Sequence, residues 1–199
     1  MPVFDSVQGF YFMGQREKVI LLLDGSNFYH RLKELEIEDL LSFNYQKFTE
    51  WLAEEQRIVE REYFIGAIRE EIGNLKSKEL MSAQTKLFTN LKKQNWKILL
   101  GYLLKIGDKY HEKGVDVKIA VEMLIGAYEN LYDRVILISS DTDLLPAIEK
   151  VKKLGKKIEY VGFSHKPSFA MIRHASLTKL LTKKDLTPFF TNIEKIEEK

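Results

Sequence analysis

With 199 residues and 45% hydrophobic content, the chain can build one sizeable core and is short for two independent domains. A formal net charge of +2 supplies no global field, so any attraction to nucleic acid has to come from local clusters. The lack of cysteine excludes disulfide frameworks, thiolate zinc sites and cysteine nucleophiles, and fits a reducing compartment.

Met1 to Gln15 lacks the basic segment and long apolar run of a signal peptide, and no window is apolar enough to span a bilayer. The expectation is a cytoplasmic chain with no membrane partner. Residues 1–16, rich in Phe and Tyr, read as an aromatic accessory segment. Residues 17–185 read as one domain and 186–199 as a polar tail.

Lys18 to Leu23 is an apolar first strand that runs into Asp24-Gly25-Ser26-Asn27 and a helix capped by Ser26, with Phe28, Leu32 and Leu35 inward. Asn44 caps a second helix carrying Phe48, Trp51 and Leu52. Arg61 to Ile68 is a second strand, a long helix follows through Leu80, Leu87 and Leu91, and Trp96 to Leu104 is a third strand. Lys105 to Gly114 reads as a polar loop opening a helix from Val115 to Asn130, with Val117, Ala120, Val121, Leu124 and Ile125 as its buried face. Strand four is 134–139, strand five 157–163, a helix ending at Gly155 lies between them, and 167–181 reads as helical.

Strands alternating with helices imply a parallel sheet. The expectation is a three-layer, Rossmann-like α/β fold with five parallel strands in the order 3-2-1-4-5 and helices on both faces. That order reverses between strands one and four, where open α/β sheets bind ligands outside the carboxyl ends of their strands. Both of these strands end in acids: Asp24 on the first, and Asp141 and Asp143 after Ser139-Ser140 on the fourth.

Each acid has a simpler account. Asp24 can open a turn, Asp141 or Asp143 can cap the next helix, and Asp116 in Lys113-Gly114-Val115-Asp116 can be a first-turn acid. Capping explains one aspartate of the pair after Ser140; it does not explain two, with a third at the matching end of another strand. Three unneutralised carboxylates in one crevice repel strongly at a semi-buried dielectric, and a divalent cation among them relieves that repulsion. Oxygen-only ligands suit Mg²⁺ or Mn²⁺, as one or two ions. Glu122 projects about 240° around the helix from Asp116 at 3.6 residues per turn, which leaves it a supporting role at most.

Basic residues are unevenly spread. From Lys76 to Lys118 there are ten lysines against four acids, whereas Asn44 to Ile72 has four basic and seven acidic residues. Lys105, Lys109, Lys113 and Lys118 fall near the acids and make a phosphate track, with Tyr110 available for base stacking and His111 beside them. The competing account is a solvated helix face.

Asp24-Gly25-Ser26-Asn27, Lys113-Gly114-Val115-Asp116 and Ser139-Ser140-Asp141-Thr142-Asp143 resemble the three signature blocks of NYN domains, members of the PIN-like nuclease superfamily. The resemblance covers residues 18–163. It implies a PIN-like fold and metal-dependent hydrolysis of phosphodiester bonds, with RNA, single-stranded, as substrate and partner. It also implies Asp24, Asp116, Asp141 and Asp143 as the metal-binding and catalytic set, with Asn27 and Ser139 beside them; Ser140 and Glu122 are kept as supporting residues of this sequence. Ser140 stands where the pattern has glycine, Leu144 where it has phenylalanine, and Glu122 where it often has aspartate. A homodimer is an allowed assembly.

Two other readings compete. One is a catalytically silent RNA-binding module that keeps the fold. The other is a haloacid-dehalogenase-type phosphatase, suggested by Ser140-Asp141-Thr142-Asp143 through Gly155 and weakened by Ser26, which stands where that chemistry needs a second aspartate.

Overall fold

The computed structural model describes residues 16–37, 39–68, 74–106 and 109–191, with 103, 105–106 and 109–111 described by backbone alone. The strands are β1 (Lys18–Asp24), β2 (Arg57–Ala67), β3 (Lys97–Ile106), β4 (Lys109–Lys113), β5 (Arg134–Ile138), β6 (Lys157–Phe163) and β7 (Leu177–Leu181). The helices are α1 (Gly25–Glu34), α2 (Tyr45–Ala53), α3 (Leu75–Lys93), α4 (Val115–Tyr128), α5 (Leu145–Lys153), α6 (Phe169–His174) and α7 (Lys183–Leu186). Short 3-10 turns cover Thr142–Leu144 and Thr187–Phe189. The accessory segment expected at 1–16 lies, but for Arg16, outside the described residues.

One sheet contains all seven strands, in the order β4-β3-β2-β1-β5-β6-β7. The run β3-β2-β1-β5-β6 is the expected parallel order, so the reversal falls between β1 and β5 as the sequence required. The expectation of five strands, all parallel, is corrected at both edges. β4 adds an antiparallel strand beside β3, made from a stretch the sequence presents as loop, because Lys-Tyr-His-Glu-Lys has no apolar alternation. β7 adds a parallel strand beside β6; the helix expected over 167–181 stops at His174, and Leu177–Leu181 extends onto the sheet.

β1 shows why the sheet sits in the middle layer. Its alternate residues Val19, Leu21 and Leu23 face one core, built with Phe28, Phe43, Phe48 and Leu91 from the α1, α2 and α3 side. Ile20 and Leu22 face the other, built with Ile119, Met123, Ile148 and Val151 from α4 and α5. A strand buried on both faces has to be apolar throughout, which is the pattern read at 18–23.

Two helical details differ from expectation. α4 packs through Val115, Ile119, Met123 and Ala127, while Val117, Val121 and Ile125 are exposed. The helix is apolar nearly all round, so its periodicity could not choose a face. At the end of the chain, Phe189 and Phe190 are buried against Phe43, and the Phe43–Phe190 bridge carries packing past the boundary drawn at 185. No helix among the described residues is long and apolar enough to cross a membrane.

Candidate functional site

The last pair in register between β1 and β5 is Leu23 with Ile138, so Asp24 and Ser139 leave the sheet side by side. Asp24 is buried, 8% exposed. Its Oδ1 accepts the backbone N–H of Asn27 at 3.0 Å, and its Oδ2 accepts the Ser139 hydroxyl at 3.0 Å. Asp24, rather than Ser26, is therefore the N-cap of α1. Capping uses one carboxylate oxygen, and the second is fixed by a residue on the neighbouring strand.

The two strand exits are stitched further. Asn27 Oδ1 accepts Ser140 N–H at 3.3 Å, tying the first turn of α1 to the β5 exit. The Ser140 hydroxyl lies 3.0 Å from that of Tyr160 on β6. Ser139 Oγ, while donating to Asp24, accepts Asp141 N–H at 3.2 Å, and Asp141 Oδ1 accepts Asp143 N–H at 3.0 Å to cap the 3-10 turn. Gly25 lets the chain leave Asp24 tightly, since a Cβ there would fall 2.4 Å from the Tyr63 ring.

A further acid enters that the sequence reading did not single out. Glu112 on β4 reaches across the sheet edge, its Oε2 accepting the Ser26 hydroxyl at 2.8 Å and Gly66 N–H at 2.5 Å. Its position depends on β4 being a strand, and an isolated glutamate among lysines carries no local signal of that.

Burial pushes the Asp24 carboxyl up from 3.8 to about 6. The bonds from Asn27 and Ser139 oppose the rise, and the charges of Glu112 and Asp141 add to it. Asp24 thus feels the charges of both Asp141 and Glu112. Burial, with the charges of Asp24 and Glu112 adding to it, also holds the Tyr63 phenol above its ordinary range.

The other expected residues are placed less tightly. Asp116 lies in the first turn of α4, opened by Gly114 at φ 78°, and α4 packs against the 3-10 turn that carries Asp143. Asp143 is exposed. No hydrogen bond among the described residues ties Asp116 to Asp24 or Asp141. Glu122 is not brought to the site; its carboxylate lies 3.9 Å from Lys97 Nζ, at the opposite end of β3, beside Glu60 and Glu62. Lys113 and Lys118 are exposed. Lys105, Lys109, Tyr110 and His111 fall on the β3–β4 pairing, with Lys105 opposite Tyr110 and their side chains outside the described set.

The donor set fits a hard divalent cation in kind: the acids are oxygen donors, and a desolvated carboxyl with two like charges nearby favours a cation. As they stand, however, no three or more His, Cys, Asp or Glu among the described residues are grouped closely enough to hold a metal.

The NYN domain profile matches residues 18–180 of this chain. The chain belongs to the NYN domain family. NYN domains are of the PIN-like nuclease superfamily, and the match spans every described strand but the final residue of β7. The crystal structure of a protein of unknown function from Vibrio parahaemolyticus is similar at 22% identity and a TM-score of 0.62, covering 86% of this chain and 96% of that one. At that identity the likeness shows a shared fold. Comparison with curated proteins gives no match. In this NYN domain, then, the acids that follow β1 and β5 sit at the switch point of a shared α/β architecture.

Proposed function

We propose that this NYN domain is a divalent-metal-dependent ribonuclease that hydrolyses phosphodiester bonds of single-stranded RNA in the cytoplasm. The acidic set is Asp24, Asp116, Asp141 and Asp143, with Glu112 added. The observation that carries the reading is Asp24 itself, a buried carboxyl pinned from two elements and raised to about 6 at the topological switch point. A group placed so is costly to the fold and gains from a cation.

Asp24, Asp116, Asp141 and Asp143 would hold Mg²⁺ or Mn²⁺. When bound, such an ion places positive charge against the scissile phosphate and lowers the pKa of a water there. The chain's own contribution is orientation: Ser139 and Asn27 fix Asp24, and the capped 3-10 turn fixes Asp141. Lys105, Lys109, Lys113 and Lys118 attract the phosphates on either side, with Tyr110 and His111 on the same strand pair.

One observation favours a second reading, a silent RNA-binding module: the described carboxylates do not yet form a closed cage. The phosphatase reading has no such support, because Ser26 donates its hydroxyl to Glu112 where that chemistry needs a general acid. Incubating the protein with single-stranded RNA, single-stranded DNA and a phosphomonoester, each with Mn²⁺ or with EDTA, separates the three. Cleavage of RNA in Mn²⁺ alone is expected. RNA bound but uncut would establish the silent module, and monoester hydrolysis the phosphatase.

A further inference from the structure

Beside the acids lies a cavity of about 390 Å³ between α1, the loop after it, β2 and α3. We infer that it is a nucleobase subsite, taking the base of the nucleotide whose phosphate lies at Asp24. The inference deepens the ribonuclease reading and rests on it for the identity of the ligand.

Position is the first argument. Gly25 and Ser26, the two residues that follow Asp24, form part of the cavity lining. Ser26 also carries the hydroxyl bound to Glu112, so the opening and the acidic rim share a residue. For a nucleotide whose phosphate lies at that rim, this cavity is the neighbouring space open to its base.

The lining is the second. Ile65, Ile68 and Leu87 make apolar walls, and Leu80 is left 48% exposed beside them. Tyr29 and His30 contribute rings with centroids 5.4 Å apart. Apolar faces with a few polar atoms suit a flat ring whose edge hydrogen-bonds and whose faces do not.

Gln84 is buried in the same wall, and both ends of its amide are used, accepting Ile68 N–H and donating to the Gly66 carbonyl, so the end of β2 is held as a fixed side of the cavity.

The test is titration of the protein in Mg²⁺ with adenosine 5′-monophosphate and, separately, ribose 5-phosphate, followed by backbone NMR shifts. The nucleotide is expected to bind about tenfold tighter, with shifts at α1 and α3 residues around the cavity. Ala83→Trp, which fills the cavity from an exposed position on α3, should bring the two affinities together while leaving ribose 5-phosphate binding unchanged. In Mn²⁺ it should raise KM for RNA by a similar factor with kcat retained.

Equal binding of the two probes, or an undiminished nucleotide preference in folded Ala83→Trp, overturns the inference. If that variant fails to fold by circular dichroism, Tyr29→Ala, at a partly exposed ring, carries the same test. Because neither probe carries a phosphodiester bond, base preference in a protein that never cuts RNA would sink the nuclease reading and spare the subsite. Cleavage without base preference would sink the subsite alone.

Discussion

Ser139 and Asp24 are 115 positions apart in the chain, and the serine hydroxyl donates to Asp24 Oδ2 at 3.0 Å. This bond joins the exits of the two strands between which the sheet order reverses. It also opposes the burial that raises the Asp24 pKa, so removing it with Ser139→Ala should push that carboxyl higher still.

Stability of the metal-free protein should carry the signature of Asp24. Its pKa is about 6 folded against 3.8 as the ordinary value, so between those pH values the folded chain binds more protons than the unfolded one. Stability contributed by this group is therefore present below about pH 4, is lost as pH rises to about 6, and stays lost above. Asp24→Asn should be the more stable protein above pH 6, by about 1–3 kcal/mol, with the gap closing at pH 4. Urea denaturation of both proteins in EDTA from pH 4 to 7.5 checks this, and parallel curves would remove the assigned shift.

Glu112 combines a charge effect with a structural one, and two variants separate them. Glu112→Gln keeps an acceptor for Gly66 N–H and Ser26 while removing a negative charge, so the Asp24 titration should move down with little change in fold stability. Glu112→Ala leaves the Gly66 amide without its acceptor and should cost about 1–3 kcal/mol. The two denaturation midpoints, with the carboxyl titration followed by NMR, distinguish these outcomes.

Gly114 opens α4 at φ 78°. Alanine is strained there, so Gly114→Ala should destabilise by about 1–2 kcal/mol and lower Tm accordingly. A thermal melt reads the first effect. Since the residue sets the start of the helix that carries Asp116, cleavage should fall by more than the stability loss explains.

The lysine track is tested by salt. Lys113→Glu and Lys118→Glu, both exposed, should weaken binding of single-stranded RNA. Each lysine that contacts a phosphate should also lower the slope of log K against log salt by about 0.7. Unchanged slopes would return these lysines to a solvated face.

Much of the site could be read along the chain because its parts are local. The runs 18–23 and 134–138 specify strands buried on both faces, the first followed directly by Asp24 and the second, after Ser139-Ser140, by Asp141, so strand order and acidic rim came together. What stayed hidden depended on tertiary pairing. β4 has no alternating pattern of its own, which concealed Glu112. α4 is apolar on every side, which left the phase of Val117, Val121 and Ile125 open. Asp24-Gly25-Ser26-Asn27 contains three side chains able to cap, and only the position of Ser139 shows how Asp24 both caps α1 and binds across the sheet. Phe189 and Phe190 lie next to polar sequence, and their burial follows from the aromatic cluster around Phe43.

The central claim is most directly tested by the time course of a fluorescently labelled single-stranded RNA in Mn²⁺ with wild type, Asp24→Asn and Asp141→Asn, each shown folded by its melt. The account predicts cleavage by wild type that EDTA stops, and a loss of at least about a hundredfold in both variants. Cleavage at the wild-type rate by both variants would contradict it, because the acids at the ends of β1 and β5 would then have no part in the chemistry.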